Sequence, residues 1–140
     1  MGIYMETDKI LFEVVTPYRQ VLTEEVDEVI APGEEGQFGV LPGHTPFLAK
    51  IRVGDLLYRK GIQLFHLAVS NGYSEVGYHH VIALLDAAEL PQEIDVQRAE
   101  KALKRAEEKL AGLSPEEKAF FEERAALERA INRIHIARVK

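Results

Sequence analysis

With 140 residues, 46% of them hydrophobic, the chain is long enough for one ordinary domain, or for a smaller core with an appendage, and too apolar for a disordered segment. Its formal net charge of −6 is uneven: residues 1–90 hold 6 Lys and Arg against 13 Asp and Glu, while residues 91–140 hold 11 against 10, so the acidic first part is a poor nucleic-acid binder. The absence of cysteine excludes a disulfide framework, a thiolate metal site and a thiol nucleophile, and fits a reducing compartment.

Glu6, Asp8, Lys9, Glu13 and Arg19 interrupt the first thirty residues, which leaves no signal-peptide core, and no apolar run reaches membrane-span length. A soluble chain is expected, with any membrane association made through a partner. Residues 1–88 then read as short strands between turns. Ile10, Phe12 and Val14 alternate with Leu11, Glu13 and Val15; Val26, Glu28 and Ile30 alternate with Asp27 and Val29; Phe47, Ala49, Ile51 and Val53 alternate with Leu48, Lys50 and Arg52. Further strands are expected at residues 56–60, 62–69, 72–78 and 81–85, divided by Pro32-Gly33, Pro42-Gly43, Gly54-Asp55, Lys60-Gly61 and Asn71-Gly72. Asn71-Gly72 is the strongest hairpin signal, because a two-residue turn asks both central residues for positive φ. No segment here suits a crossover helix, so the pattern predicts an antiparallel β-sandwich.

After Ala87 the pattern becomes helical, giving an α+β chain whose residues 89–140 form an antiparallel αα-hairpin. Asp95 can cap a helix on which Val96, Ala99, Leu103, Ala106, Leu110 and Leu113 make one narrow apolar stripe. Gly112 can end it in a left-handed conformation. Ser114-Pro115-Glu116-Glu117 then resembles a capping box with proline at the first helical position, and the second helix should bury Phe120, Leu127, Ile131 and Ile134. Thin, alanine-rich stripes make the pairing marginal and the hairpin a candidate for movement. Its last seventeen residues hold Arg124, Arg129, Arg133, Arg138 and Lys140 against Glu128 alone, which points to an acidic partner.

Arg98 and Arg105 lie two turns apart on one helix face, and Arg129 and Arg133 lie four apart on the other helix. A reversal at Leu113 and Ser114 sets Arg98 opposite the neighbourhood of Arg129 and Ile94 opposite that of Arg133, with Asp95 and Glu89 at the sheet end. Converging guanidinium groups need an anion between them, and their forks suit phosphate oxygens. A nucleoside triphosphate is an economical candidate, its base amino or ribose hydroxyl groups donating to the carboxylates. Spacing alone favours the plainer reading, in which helix arginines sit in water or pair with glutamates.

Four stretches tip that balance: Val14-Val15-Thr16-Pro17, the loop Gly36-Gln37-Phe38-Gly39-Val40-Leu41-Pro42-Gly43-His44, the segment Ala68-Val69-Ser70-Asn71-Gly72-Tyr73-Ser74-Glu75-Val76, and the charged helical tail. Together they resemble the epsilon subunit of bacterial F-type ATP synthase over almost the whole chain. The resemblance implies a non-catalytic rotor subunit on the cytoplasmic face of the bacterial cell membrane, attached to the gamma subunit and the c-ring. Gln37, Phe38, Leu41 and His44 are then candidates for a partner interface. Ile94, Asp95, Arg98 and Ala99 match the mark of ATP-binding members, and Glu89, Arg105, Arg129 and Arg133 correspond to the remaining positions. ATP is implied as a regulatory ligand, with no catalytic cofactor. The tail is implied to have two states: compact on the sandwich with ATP bound, or extended along gamma, its basic end inhibiting hydrolysis in the alpha/beta head.

Competing readings are weaker. Adjacent histidines on a strand, such as His79-His80, point to opposite faces and do not readily share a metal with His66 or His44. Ser70, His66 and Asp86 supply the residue types of a hydrolase, but no nucleophile elbow surrounds Ser70. The same rotor subunit without nucleotide binding is the second reading, and a free-standing β-sandwich enzyme a distant third.

Overall fold

The computed structural model describes residues 8–139; Lys140, counted above in the basic end, lies outside them. Ten strands come first: β1 Ile10–Val15, β2 Gln20–Val26, β3 Glu28–Gly33, β4 Gly36–Val40, β5 Phe47–Ile51, β6 Gly54–Lys60, β7 Gln63–Val69, β8 Gly72–Val76, β9 His80–Leu85 and β10 Ala88–Glu89. A short 3₁₀ turn, Pro91–Glu93, leads to helices α1 Val96–Ala111 and α2 Lys118–Ala137. The chain divides into two compact units between Glu89 and Leu90.

In the strand unit, hydrogen bonding runs in the order β10-β7-β6-β3-β5-β8-β9-β1-β2, with β4 added to β3. Every pairing is antiparallel except β1 with β9. The path doubles back because β3 pairs with β6 through Glu28, Val29 and Ile30, but with β5 only at Gly33. Strands that are not neighbours therefore face each other: the Phe12 ring on β1 lies 5.5 Å from Tyr58 on β6, and Tyr58 stacks on Phe65 of β7. Alternation supplies this core, with Ile10, Phe12 and Val14, then Val29 and Ala31, Leu56 and Tyr58, Leu67 and Val69, and Val81, Ala83 and Leu85 all buried.

Three local expectations are corrected. The run from Val26 to Ile30 is two strands, broken at Asp27, whose side chain is buried at the corner. Its carboxylate accepts from Lys9 Nζ and from the Gly61 amide at 2.7 Å, while its own N–H donates to Arg59 O at 2.8 Å. The inside phase changes there, so Val29 and Ala31 are buried instead of Glu28 and Ile30. Asn71-Gly72 makes no hairpin: β7 pairs with β6 and β10, β8 with β5 and β9, and Gly72 has no positive φ. Glycine is needed because a Cβ would sit 2.1 Å from Leu84 O and 2.8 Å from Leu85 Cα on β9. The tight hairpin lies instead at Gly61-Ile62, between paired Lys60 and Gln63, where Gly61 has φ +65°. The strand expected at residues 47–53 stops at Ile51, and the polar edge strand β2 and glycine-bearing β4 were not anticipated by alternation.

In the helical unit, α1 ends at Gly112 with φ −97°, a right-handed value, so the expected left-handed cap is not used. Ser114-Pro115-Glu116-Glu117 forms a turn ahead of α2 instead of its first residues. The Ser114 amide donates to Glu117 Oε2 at 2.9 Å, the Glu117 amide donates back to Ser114 O, and the helix starts at Lys118. α2 buries Ala130 and Ile136, whereas Ile131, assigned to the inner face by its apolar character, is 49% exposed.

Candidate functional site

The approach to α1 is fixed by short-range bonds. The Leu90 amide donates to Glu93 Oε1 at 2.9 Å, and Ile94 is buried just before the helix. Asp95 then adopts an extended backbone, φ −81° and ψ 97°, and its Oδ1 accepts from the Arg98 amide at 3.1 Å. This satisfies an otherwise orphaned donor of the first turn and leaves a carboxylate at the positive end of the helix dipole. Ala99 follows, fully buried, and its single methyl lets the two helices approach closely.

Two interhelical ion pairs set the hairpin register: Lys109 Nζ lies 3.5 Å from Glu123 Oε1, and Arg138 Nη2 lies 3.4 Å from Glu100 Oε1. These contacts correct the expected opposition of Arg98 to Arg129 and of Ile94 to Arg133. The reversal occupies Gly112 to Glu117 and α2 begins late, which slides α2 along α1. Arg105 is therefore level with Arg129, while Arg98 is level with the last turn of α2, about one turn beyond Arg133.

What the slide preserves is the flank. Arg98, Arg105 and Arg129 each immediately precede a buried alanine, respectively Ala99, Ala106 and Ala130, and Arg133 follows Ala130 by three. In an antiparallel pair, positions displaced in the same sense from the buried stripe meet on one side. All four arginines thus lie toward one flank of the hairpin, Arg105 level with Arg129 and Arg98 about one turn beyond Arg133. Arg98, Arg105 and Arg129 are exposed and Arg133 is half-buried. Glu89 ends β10 in the strand unit, its partner across the strands being Ala68.

The loop between β4 and β5 is also well fixed. Gly43 takes φ +87° and its amide donates to Tyr78 O at 2.6 Å. His44 is half-buried; its Nδ1–H donates to Thr45 O at 2.7 Å and its ring lies 5.1 Å from Phe47. Phe38 meets Phe47 edge to face at 5.3 Å and lines an open cleft of about 500 Å³ with Glu34, Gln37, Leu48 and Lys50. Gln37 and Leu41 are exposed. Of the four candidate interface residues, Gln37 and Leu41 are open to a partner, while Phe38 and His44 also serve the local packing. Alternation gave no signal for this cleft, because β4 carries Gly36 and Gly39.

The hydrolase constellation is not assembled. His66 Nδ1 pairs with Asp55 Oδ2 at 2.7 Å and not with Asp86, and Ser70 is buried with its amide donating to Ala87 O. Among the described residues, no group of three His, Asp or Glu side chains is placed to hold a metal, and no helix is long and apolar enough to cross a membrane.

Residues 9–91 match the family described as ATP synthase, Delta/Epsilon chain, beta-sandwich domain, and residues 92–138 match ATP synthase, Delta/Epsilon chain, long alpha-helix domain. The chain belongs to the ATP synthase delta/epsilon family. Its relatives include the ATP synthase epsilon chain of Geobacter metallireducens, 52% identical over 130 residues that cover 93% of this chain and 94% of that one. An ATP synthase epsilon chain 2 of Syntrophotalea carbinolica is 51% identical over 129 residues, 92% and 94% of the two chains. Among solved structures, a chain in the Euglena gracilis mitochondrial ATP synthase, OSCP/F1/c-ring in rotational state 1, superposes with TM-score 0.76 at 25% identity, covering 94% of this chain and 82% of that one. A chain from the Tetrahymena thermophila mitochondrial ATP synthase central stalk/c-ring shares the fold, with TM-score 0.65 at 12% identity, covering 95% and 99%. As an epsilon chain of this family, the protein is a non-catalytic subunit of ATP synthase.

Proposed function

We propose that this epsilon-type chain is a central-stalk rotor subunit of an F-type ATP synthase, and that its helical unit is a nucleotide-responsive regulator. The strand unit attaches to the gamma subunit and the c-ring, with Gln37, Phe38, Leu41 and His44 as the contact candidates. The complex holds it peripherally at the cytoplasmic face of the bacterial membrane. ATP favours the paired helices; when they separate they extend toward the alpha/beta head and inhibit hydrolysis.

The observation that carries the nucleotide reading is the single flank shared by Arg98, Arg105, Arg129 and Arg133. A triphosphate lying along this flank accepts charge-assisted hydrogen bonds from guanidinium forks of both helices. Asp95 accepts from base amino or ribose hydroxyl groups through the oxygen that does not cap α1, Ile94 supplies a buried anchor, and Ala99 keeps the helices close. Glu89 enters the reading through the family resemblance alone. ATP shifts the equilibrium only by its differential affinity for the paired state.

The test is titration of ATP, with and without magnesium, into the full chain, following amide protection of α2. Saturable protection is expected. No saturable change up to millimolar nucleotide would remove the ligand and leave a rotor subunit without nucleotide binding, a reading favoured by the engagement of one Asp95 oxygen in capping.

A further inference from the structure

The hairpin has a second flank. Glu100 follows the buried Ala99 by one position and Arg138 follows the buried Ala130 by eight, turns of about 100° and 80° in the same sense, so both project from the side opposite the four arginines. There Arg138 Nη2 lies 3.4 Å from Glu100 Oε1. Arg138 terminates α2, its amide donating toward His135 O and Ile136 O, so its cation sits where the helix dipole favours one.

We propose that Glu100 and Arg138 form a latch at the open end of the hairpin, and that the latch regulates the arginine flank by setting how often the helices are paired before ligand arrives. This second half rests on the nucleotide reading above; the latch itself does not. At the other end the helices are joined covalently through Gly112 to Glu117, so Lys109–Glu123 reinforces a constraint the chain already imposes. At the open end no covalent link joins the helices, and only side-chain contacts, including those of α2 with the Pro91–Glu93 turn, hold them together. In the ligand-free hairpin the Glu100–Arg138 pair draws the last turn of α2 onto the first turns of α1. Between the flanks lies a narrow seam in which Ala99, Ala106, Ala130 and Ile136 are buried and Leu103, Leu110, Leu127 and Ile134 half-buried. The pair is exposed on both sides, so it tunes the equilibrium and does not lock it.

The chain has no cysteine, so Gln97→Cys and His135→Cys, both exposed, accept a spin-label pair that reads the open end in the full-length protein. Without nucleotide, the labelled chain is expected to give one short distance, and Glu100→Arg to add a longer population. Arg138→Glu in the same chain restores the short distance, an outcome that a merely destabilising substitution does not produce. ATP affinity should weaken about two- to fivefold in Glu100→Arg and recover in the double variant, the range an exposed ion pair supports. Unchanged distances in Glu100→Arg, or no recovery in the double variant, overturn the latch. Altered distances with unaltered affinity overturn its regulatory role. If the labelled parent binds no ATP, the nucleotide reading fails, and the latch stands or falls on the distances alone.

Discussion

Gly72 separates two reasons for a glycine, and substitution there tests the strand packing directly. If the residue served a left-handed turn, asparagine would be the best replacement, since it tolerates positive φ better than alanine. In the fold it lies in β8 without positive φ, and an added Cβ would sit 2.1 Å from Leu84 O and 2.8 Å from Leu85 Cα. Both are backbone atoms of the paired strand β9, so no rotamer change relieves the clash. Overpacking of a well-filled site costs about 1–3 kcal/mol, and more where backbone must move. Gly72→Ala should therefore cost about 3 kcal/mol or more, lowering the strand unit's Tm by roughly 12 °C or more for a unit of this size. Gly72→Asn should be worse. Gly61 is the internal control: its φ is +65° and no heavy atom lies within 4 Å of an added Cβ. Gly61→Ala should cost about 1 kcal/mol and Gly61→Asn less. Urea unfolding of the full chain, followed by the β-sheet circular dichroism signal, measures all four. If asparagine at Gly72 were as stable as alanine, or both lost under 1 kcal/mol, the close approach of β8 to β9 would be refuted.

Acid should find the strand unit at Asp27. The Gly61 amide, then Lys9, hold its carboxyl below the usual value of 3.8. A lowered folded-state pKa means stability present above the unfolded value and lost as pH falls below about 4 through the folded one. Asp27→Asn should lower the urea midpoint at pH 6, and the gap to the unsubstituted chain should narrow as pH falls below about 4; a gap independent of pH contradicts the assignment. In the helical unit, Arg98→Ala and Arg133→Ala should each weaken ATP binding about tenfold or more, the scale of a lost hydrogen bond to a charged group, while Lys104→Ala, off the arginine flank, leaves calorimetric affinity unchanged.

How far the sequence could be read depended on which physical effect set each position. Where one face of a strand is buried and the other wet, as at Ile10, Phe12 and Val14, period-two alternation identifies the inward residues. It fails at Asp27, because a buried carboxylate fed by Lys9 and Gly61 looks in sequence like an outward polar residue. Gly72 failed for a related reason: the letters of a tight turn are also those of a strand that must pass close to its neighbour. On the helices, the identity and flank of the arginines followed from spacing, while their register did not. Register depends on where α2 begins, and Ser114 to Glu117 carry helix-start chemistry in a turn that comes before the helix.

The three buried alanines of the seam each contribute a methyl, worth about 0.8 kcal/mol apiece or roughly 2–3 kcal/mol together, and buried Ile136 with half-buried Leu103, Leu110, Leu127 and Ile134 adds to that. A ligand present at a hundred times its dissociation constant stabilises the state it binds by about 2.7 kcal/mol. On the nucleotide reading proposed above, a ligand of that strength matches the alanine share alone, so it biases a pairing that the larger apolar side chains also support. On the same reading, small residues at Ala99, Ala106 and Ala130 do two things at once: they let the helices approach closely enough for one polyphosphate to span them, and they keep the alanine share of the pairing within the range a bound nucleotide matches.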